Sequence, residues 1–452
     1  MTTFSLLNFG CRASQADGAA LKRQLLESGL TEHEDTAQSD VAILNTCTVT
    51  AAADAEIRQA IRRIHRQRPG CRILVTGCYA QRAPEEIAAL DGVAWVIGNS
   101  HKHQIVEILR DFRYTLDSAA AGGLPIQTGE GSDEGQVRVG KVAPQFHFMP
   151  VFADDRTRPT LKVQDGCDAR CAFCIIPTVR GRSRSLPPEQ VIEQVLSLEA
   201  GGYNEVVLSG INLGSYGRDL NRSITFLGLL EKILAETGVR RLRISSIEPM
   251  DVSPALIRLV AAEPRLADHF HIPLQSGCDR VLRQMNRRYW AAQYAERILT
   301  VRESMPHAGI GADVMTGFPG ETAADHAESV RFIESLPFTY LHIFPYSVRP
   351  STPAAARCDQ VNGRIAHGRG AELRGVIAHK RQTFLEAQLG RTLSALTLSG
   401  IHEEETRALS SNFLNISLPG RRPGPNHLVG VRVSRVHEGR LYGFLEACAK
   451  QP

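Results

Sequence analysis

Three cysteines stand close together in the segment GCDARCAFCIIPTVRGRSRS, residues 166–185. Cys167, Cys171 and Cys174 are separated by three and two residues, although the whole chain of 452 residues has ten cysteines. In a reducing compartment, clustered thiols are more often metal ligands or catalytic groups than disulfide partners. The spacing therefore predicts that these three side chains share one partner.

The candidate partners differ in the number of thiolates that they need. A structural zinc ion normally takes four protein ligands, and no histidine occurs between His147 and His269 to supply the fourth. A 4Fe-4S cluster held by three thiolates keeps one iron open to a substrate or cofactor. Disulfide chemistry is a weaker alternative, because three cysteines leave one unpaired. The chemistry favours an iron–sulfur cluster, with zinc as the alternative.

Three further cysteines follow predicted strands near the start of the chain: Cys11 after FSLLNF, Cys47 after VAIL and Cys78 after CRILVTG. The carboxyl ends of parallel strands meet at one edge of a sheet, where open α/β sheets bind their ligands. Cys71 begins the strand that Cys78 follows, which places it roughly 20 Å away at the opposite edge. We expect Cys11, Cys47 and Cys78 to form a second ligand set and Cys71 to be a bystander. The alternative is that they are unrelated small residues in a core.

The elements that must position both sets follow from the hydrophobic periodicity, which predicts an α/β fold. Residues 1–113 alternate strands with helices and predict an N-terminal parallel βαβ sheet domain. Residues 114–152, rich in Gly, Ala and Ser, predict a linker.

Residues 153–385 repeat strand and helix six times, which predicts a partial (βα)6 barrel. The chemistry of such barrels lies on the loops that follow the strands, where the first cysteine set falls. Residues 386–449 change to strand periodicity and predict a small antiparallel β-barrel.

The composition and charge of the chain limit the classes of protein to which it can belong. With 43% hydrophobic and 22% charged residues, the chain can bury the cores of two to four domains. The net charge of +4 is too mild to indicate a polyanion partner by itself. The sequence begins without a basic segment followed by an apolar one and has no run of eighteen apolar residues, so we expect a cytoplasmic protein without a membrane partner.

The CxxxCxxC pattern, with Phe173 before its last cysteine at the end of the first barrel strand, resembles the radical S-adenosylmethionine superfamily. The segments LSGINLGSYG, RISSIEP, HIPLQSGCDRVLRQMNRRY, DVMTGFPGET and HIFPYSVRPSTPAA resemble its methylthiotransferase branch. NTCTVT and TGCYAQ are similar to the N-terminal domain of that branch, and the tail is similar to its TRAM RNA-binding module. One departure is Ser14, where the family commonly has asparagine.

The resemblance implies two 4Fe-4S clusters and S-adenosylmethionine as cofactors. The catalytic cluster ligands fall on Cys167, Cys171 and Cys174, and the auxiliary cluster ligands fall on the same three cysteines that the strand ends selected, Cys11, Cys47 and Cys78. By analogy with superfamily barrels, the neighbourhood of S-adenosylmethionine comprises Phe173, Gly210, Ser246, Glu248, Gln275, Asp313 and Phe344.

The implied reaction is radical methylthiolation of C2 of an adenine ring, where the hydrogen is not acidic enough for a general base. S-adenosylmethionine would supply a 5′-deoxyadenosyl radical and, from a second molecule, the methyl group. The auxiliary cluster would carry the sulfur.

The family's acceptors are tRNA adenosine-37 bearing a threonylcarbamoyl or an isopentenyl group, and an aspartate of a ribosomal protein. NTCTVTAAADAEIRQAIRR and HIFPYSVRPSTPAA resemble the threonylcarbamoyl branch most. The carboxylate of that group favours a basic pocket, for which Arg182 and Arg349 are candidates. The expected partners are a tRNA anticodon stem-loop, a reducing electron donor and a sulfur donor, with the chain as a monomer. The non-enzymatic alternative is an iron–sulfur RNA-binding protein.

Overall fold

The computed structural model describes residues 2–110, 136–143, 157–221, 223–400, 405–420 and 423–446. It is an α/β structure with an N-terminal parallel sheet, a central curved parallel sheet and a closed C-terminal barrel, which confirms the predicted fold class. The predicted linker at 114–152 lies outside the described residues except for 136–143. Within that short segment, residues 136–138 form a strand of the N-terminal sheet.

The N-terminal sheet has six parallel strands in the order β2-β1-β3-β4-β5-β6. Its central strands are buried on both faces because helices cover both sides, as apolar runs such as VAIL require. The strands are β1 Thr3–Asn8, β2 Thr31–Glu32, β3 Val41–Thr46, β4 Arg72–Gly77, β5 Val93–Gly98 and β6 Gln136–Arg138. The helices between them are α1 Arg12–Glu27, α2 Ala51–Gln67, α3 Cys78–Arg82 and α4 Pro84–Ala88.

The central unit has the six predicted parallel strands in two halves, β7-β10-β11 and β12-β13-β14. Isolated parallel bridges, such as that between Ser246 and His271, join the halves. The strands are β7 Thr160–Lys162, β10 Glu205–Ser209, β11 Arg241–Ile244, β12 His269–His271, β13 Gly309–Thr316 and β14 Tyr340–Pro345. A short antiparallel pair, β8 Gln164–Asp165 and β9 Arg184–Ser185, flanks the loop that carries the first cysteine set.

Helices cover the outer face of this barrel. The helices of the central unit are α5 Ile176–Arg180, α6 Pro188–Ala200, α7 Phe226–Glu236, α8 Pro254–Ala262, α9 Asp279–Gln284, α10 Ala291–Ser304, α11 Ala323–Ser335 and α12 Gly363–Glu386. Alternate strand residues such as Phe270 and Ile310 pack into the apolar core beneath these helices. Because side chains alternate along a strand, the residues between them face the barrel interior.

The C-terminal unit is a closed five-stranded barrel in the order β15-β16-β17-β19-β18, and its strand pairs are antiparallel as predicted except β17–β19, which is parallel. Its strands are β15 Thr392–Thr397, β16 Glu405–Ser410, β17 Asn415–Pro419, β18 Leu428–His437 and β19 Arg440–Leu445. The β16–β17 turn packs against the amino ends of the central strands: Arg243 donates hydrogen bonds to the carbonyls of Ser410 and Ser411 at 3.0 and 2.9 Å. Phe413 in the same turn stacks on His269 with 4.4 Å between ring centroids.

In the described part of the chain, every helix is too short or too polar to span a lipid bilayer.

Candidate functional site

The first cysteine set lies in the loop between β8 and α5. The backbone N–H of Cys174 donates to the carbonyl of Cys171 at 3.1 Å, which folds the loop into a tight turn. The backbone N–H of Ala169 donates to Sγ of Cys167 at 3.3 Å. Burial raises the pKa of Cys174 to about 12, and Cys171 and Cys167 add to the shift because they lie close by. The three thiols therefore lie close to one another, and their role as ligands of one partner stays a prediction.

The second cysteine set lies at the carboxyl edge of the N-terminal sheet. Cys11 precedes α1, Cys47 follows β3 and Cys78 begins α3 directly after β4. Gly10 has φ +106°, and a Cβ on it would lie 2.9 Å from Sγ of Cys47, so a side chain there would invade the space around this thiol. Burial raises the pKa of Cys47 to about 12, with further contributions from Cys78 and Cys11.

Cys71 lies apart from this set. It is buried in the apolar core at the amino end of β4, where it packs with residues of α2. This position agrees with the prediction that Cys71 does not belong to the second ligand set.

The two cysteine sets converge. Cys78 packs in one apolar cluster with Ile176 and Val179 of α5, and Cys167 and Cys174 border the same cluster. The amide of Asn99 joins the two units, because it donates to Sγ of Cys78 at 3.5 Å and to the carbonyl of Val179 at 2.9 Å. Both trios of thiols therefore lie near the same interface between the N-terminal unit and the barrel.

A cavity of about 670 Å³ opens beside the first set. Three of the residues predicted to act in the site line it: Cys171, Glu248 and Arg182. Its volume lies within the range of small-molecule and cofactor sites. Burial raises the pKa of Glu248, and Arg287 opposes that shift through an ion pair.

Arg287 is a site residue that the sequence reasoning missed. Its guanidinium donates to Sγ of Cys171 at 3.3 Å and pairs with Glu248. Although it falls within HIPLQSGCDRVLRQMNRRY, its distance of 116 residues from Cys171 leaves no spacing signal.

The other residues predicted near S-adenosylmethionine divide between two places. Phe173 and Phe344 border an apolar cluster around Met315 and Phe318. Ser246 contacts His271, which lies beside Asp313 in the barrel interior. Gln275 has φ +65° and donates its backbone N–H to the carbonyl of Asp313 at 2.8 Å.

Gly210 follows β10, and a Cβ on it would lie 3.0 Å from the side chain of Gln164. The structure therefore gives Gly210 a packing reason, and the assignment of the seven residues to the neighbourhood of S-adenosylmethionine stays a prediction.

The two arginines predicted to bind a substrate carboxylate have different surroundings. Arg182 is exposed at the rim of the cavity and pairs with Asp168 at 3.1 Å. Arg349 is buried, pairs with Asp54 at 2.7 Å and donates to the carbonyl of Thr48 at 3.1 Å. Arg349 is thus engaged in joining the N-terminal unit to the barrel.

Arg12 is a second residue that the sequence reasoning missed. It follows Cys11 and lines a polar cavity of about 430 Å³ together with Arg158, Thr157 and Ser399. Burial lowers the pKa of Arg12 to about 10, and the charges of Arg158 and Arg243 lower it further. No carboxylate among the described residues forms an ion pair with Arg12. The cavity is therefore suited to an anionic group.

Buried charges hold the two units together beside the cysteines. Arg180 donates to Asp17 at 3.1 Å and to Asp165 at 2.9 Å, and Lys162 pairs with both carboxylates. Burial alone would raise the pKa of Asp165, but Arg180 and Lys162 outweigh it and hold that pKa well below its usual range. Arg180 also contacts the hydroxyl of Ser14 at 3.3 Å, so the residue at the unusual position takes part in this junction.

Comparisons with known proteins agree with this architecture. The radical SAM superfamily model matches residues 161–333, and the model of an uncharacterized protein family, UPF0004, matches residues 3–98. A solved radical S-adenosylmethionine methyltransferase, TsrM from Kitasatospora setae, has a TM-score of 0.55 at 17% identity and covers 78% of this chain and 77% of its own. That likeness concerns the fold alone.

Curated relatives cover nearly the whole chain. The threonylcarbamoyladenosine tRNA methylthiotransferase MtaB of Aquifex aeolicus is 37% identical over 91% of this chain and 95% of its own, and that of Bacillus subtilis is 33% identical over 99% and 98%. The tRNA-2-methylthio-N(6)-dimethylallyladenosine synthase of Pelotomaculum thermopropionicum is 32% identical over 80% and 79%.

Fold and site define a radical SAM protein, whose superfamily uses an iron–sulfur cluster and S-adenosylmethionine. At this level of identity over the full length, the chain belongs to the methylthiotransferase family within that superfamily.

Proposed function

We propose that this protein is a tRNA methylthiotransferase that adds a methylthio group to C2 of N6-threonylcarbamoyladenosine at position 37. The observation that carries the proposal is the convergence of two cysteine trios, one on each unit, around the cluster of Cys78, Ile176 and Val179. One trio would suffice for a radical SAM enzyme that transfers no sulfur.

The cysteine trios would each hold a 4Fe-4S cluster, with Cys167, Cys171 and Cys174 as ligands of one and Cys11, Cys47 and Cys78 as ligands of the other. The thiols fit such groups because they are grouped in threes, all but Cys11 are at least partly buried, and two of them accept N–H donors, from Ala169 and Arg287. When bound, these groups and S-adenosylmethionine supply the radical chemistry and the sulfur that an unactivated C–H bond requires.

The protein's own residues would orient the reactants. Arg287 would fix the thiolate of Cys171 and balance its charge, while its ion pair holds Glu248 at the cavity wall. Asn99 would set the separation of the two trios, since one amide contacts Cys78 and the barrel helix α5. The apolar side chains of Ile176 and Val179 would exclude water from between the trios.

Two observations favour the threonylcarbamoyl group as substrate. The relatives from Aquifex aeolicus and Bacillus subtilis are named for it, and the positive charge of Arg12 suits its carboxylate. A threonylcarbamoyl group carries a carboxylate, whereas an isopentenyl group carries no charge. Arg12 follows Cys11 in the sequence, and its guanidinium borders a polar cavity lined by Arg158 and Ser399, where an anionic group could pair with it.

The C-terminal barrel would bind the tRNA. Its β18 and β19 expose Arg432, Arg440 and Phe444, and Arg435 lies 4.6 Å from the ring of Tyr442, a combination suited to phosphates and bases. The function further requires a reducing electron donor and a sulfur donor, and we expect a cytoplasmic monomer.

Nucleoside mass spectrometry of tRNA from cells that lack the gene tests the proposal. We expect loss of the methylthio mark from threonylcarbamoyladenosine, with isopentenyladenosine derivatives unchanged. Loss from isopentenyladenosine alone would assign the other tRNA substrate. Unchanged tRNA, together with no release of 5′-deoxyadenosine by cluster-loaded protein, would favour an iron–sulfur RNA-binding protein.

A further inference from the structure

The side chains of two histidines and one aspartate meet inside the central barrel, and none of the cysteine ligands proposed above belongs to this group. They come from three adjacent strands, His271 from β12, Asp313 from β13 and His342 from β14. Asp313 and His342 are direct partners across the β13–β14 pair, and His271 is the partner of Gly311, two residues before Asp313. The register therefore places the three side chains side by side on the inner face.

Their spacing matches a coordination shell, although His342 and Asp313 also lie within hydrogen-bond distance of each other. Oδ1 of Asp313 lies 3.3 Å from Nε2 of His271 and 3.3 Å from Nδ1 of His342. Charged hydrogen bonds are usually about 2.7–2.9 Å, whereas ligands about 2.1 Å from a tetrahedral ion lie about 3.4 Å apart. All three ligand atoms fall within 4.8 Å of one another.

A second observation points to a ligand. His271 is 6% exposed, and its Nε2 has no aligned hydrogen-bond partner although it faces this group. Its Nδ1 lies 2.7 Å from the hydroxyl of Ser246. In the tautomer that donates Nδ1–H to Ser246, the lone pair of Nε2 points toward Asp313, which is the arrangement that orients metal-binding histidines.

The group is open on one side. The side chain of His342 is 63% exposed and that of Asp313 is 27% exposed, so an ion can reach them and retain positions for water or a substrate oxygen. Two imidazoles and one carboxylate suit a divalent d-block cation such as Zn²⁺, Fe²⁺ or Mn²⁺, and Mg²⁺ or Ca²⁺ would prefer oxygen ligands.

We infer that His271, Asp313 and His342 form a mononuclear binding site for a divalent d-block cation, separate from the cysteine trios and with open coordination positions. The inference is independent of the proposed tRNA substrate. It assigns Asp313 to a metal ion in place of the predicted neighbourhood of S-adenosylmethionine, and it makes Ser246 a positioning residue.

Zn²⁺ alone serves as the probe. Full-length protein with its clusters reconstituted anaerobically is dialysed against Zn²⁺, and retained zinc is measured together with iron. We expect about one Zn²⁺ per chain, and we expect His342→Ala and Asp313→Asn to abolish its retention without loss of iron. Ser246→Ala should weaken Zn²⁺ binding about tenfold, as loss of a partner that orients a ligand does. His367→Ala, which removes an exposed histidine of α12, should leave binding unchanged.

Zinc X-ray absorption distinguishes this site from cysteines that carry no cluster. A nitrogen and oxygen shell near 2.0–2.1 Å supports the inference, and a sulfur shell near 2.3 Å overturns it. Equal zinc retention by the protein and by His342→Ala also overturns it. Because His342 is exposed, its replacement should leave Tm unchanged, so lost binding would not reflect misfolding.

Discussion

The guanidinium of Arg287 lies 3.3 Å from Sγ of Cys171 and forms an ion pair with Glu248 on the cavity wall. One side chain thus links a predicted cluster ligand to the space beside it. A cation at this distance stabilises a thiolate, so the contact has a chemical as well as a structural effect.

We expect Arg287→Ala to reduce the release of 5′-deoxyadenosine from S-adenosylmethionine about 10- to 100-fold. Arg283→Ala is the matched control, because Arg283 lies over the ring of Trp290 at 5.1 Å and not on a cysteine. Adding Glu248→Gln to Arg287→Ala should restore stability, since it removes the unpaired carboxylate, but not the rate. Recovery of the rate in that double variant would contradict a role for Arg287 at Cys171.

Replacement of Cys11, Cys47 or Cys78 by Ala should lower bound iron from about two clusters to about one per chain. Cleavage of S-adenosylmethionine should continue, whereas methylthiolation of tRNA should stop. Cys71→Ser tests a cysteine of the same sheet that lies in the apolar core with α2, and it should keep both clusters. The assignment of the second trio fails if a Cys47→Ala protein retains full iron.

Arg12→Ala should weaken binding of an anticodon stem-loop that carries threonylcarbamoyladenosine by about tenfold, the cost of one charged hydrogen bond. The same RNA with the threonyl carboxylate converted to a methyl ester should bind both proteins equally. Arg364→Ala, which removes an exposed arginine of α12, is the control. A loss of equal size for both RNAs would show that Arg12 contacts the RNA backbone.

Glu205 should make the free energy of unfolding depend on pH in the acid range. It is fully buried, and although burial itself opposes ionisation, Arg243 at 2.8 Å, with Arg158 and Arg241, lowers its pKa from 4.5 to about 2. A carboxyl whose pKa is depressed in the folded state contributes stability above its unfolded pKa, and that contribution is lost as the pH falls from about 4.5 to about 2.

Glu205→Gln should therefore lower the free energy of unfolding at pH 7 by about 3 kcal/mol, and the difference from the unaltered protein should shrink below pH 5. Thermal unfolding over this pH range measures it. Glu236→Gln breaks the exposed pair with Lys232 and should have little effect at any pH. A constant difference from pH 7 to pH 2 would contradict the assignment.

The sequence was sufficient for the fold and for the position of the cysteines relative to the strands because both depend on local patterns. A cysteine directly after a parallel strand must lie at the carboxyl edge, and Cys11, Cys47 and Cys78 do. Arg287 was not predictable, since its contact with Cys171 depends on how two distant loops meet. Arg349 shows the same limit, because its charge is evident in the sequence but its partner Asp54 lies 295 residues away.

The proximity of His271, Asp313 and His342 could not be predicted from local sequence patterns. The strands that carry these residues follow from their apolar alternation, yet the pairing of Asp313 with His342 depends on register. A shift of one residue would turn every side chain of a strand to the other face. Sequence alone did not fix that register.

The turn that carries Phe413 also affects how small molecules reach the interior of the central barrel. It packs at the amino ends of the central strands, where Asn412 approaches Gly309 so closely that a Cβ there would lie 2.2 Å from its carbonyl oxygen. One mouth of the barrel is therefore capped from within the same chain. With that mouth closed, we expect small reactants and products to exchange through the opposite end of the barrel. An RNA docked over that end would make their entry and release ordered events in each turnover.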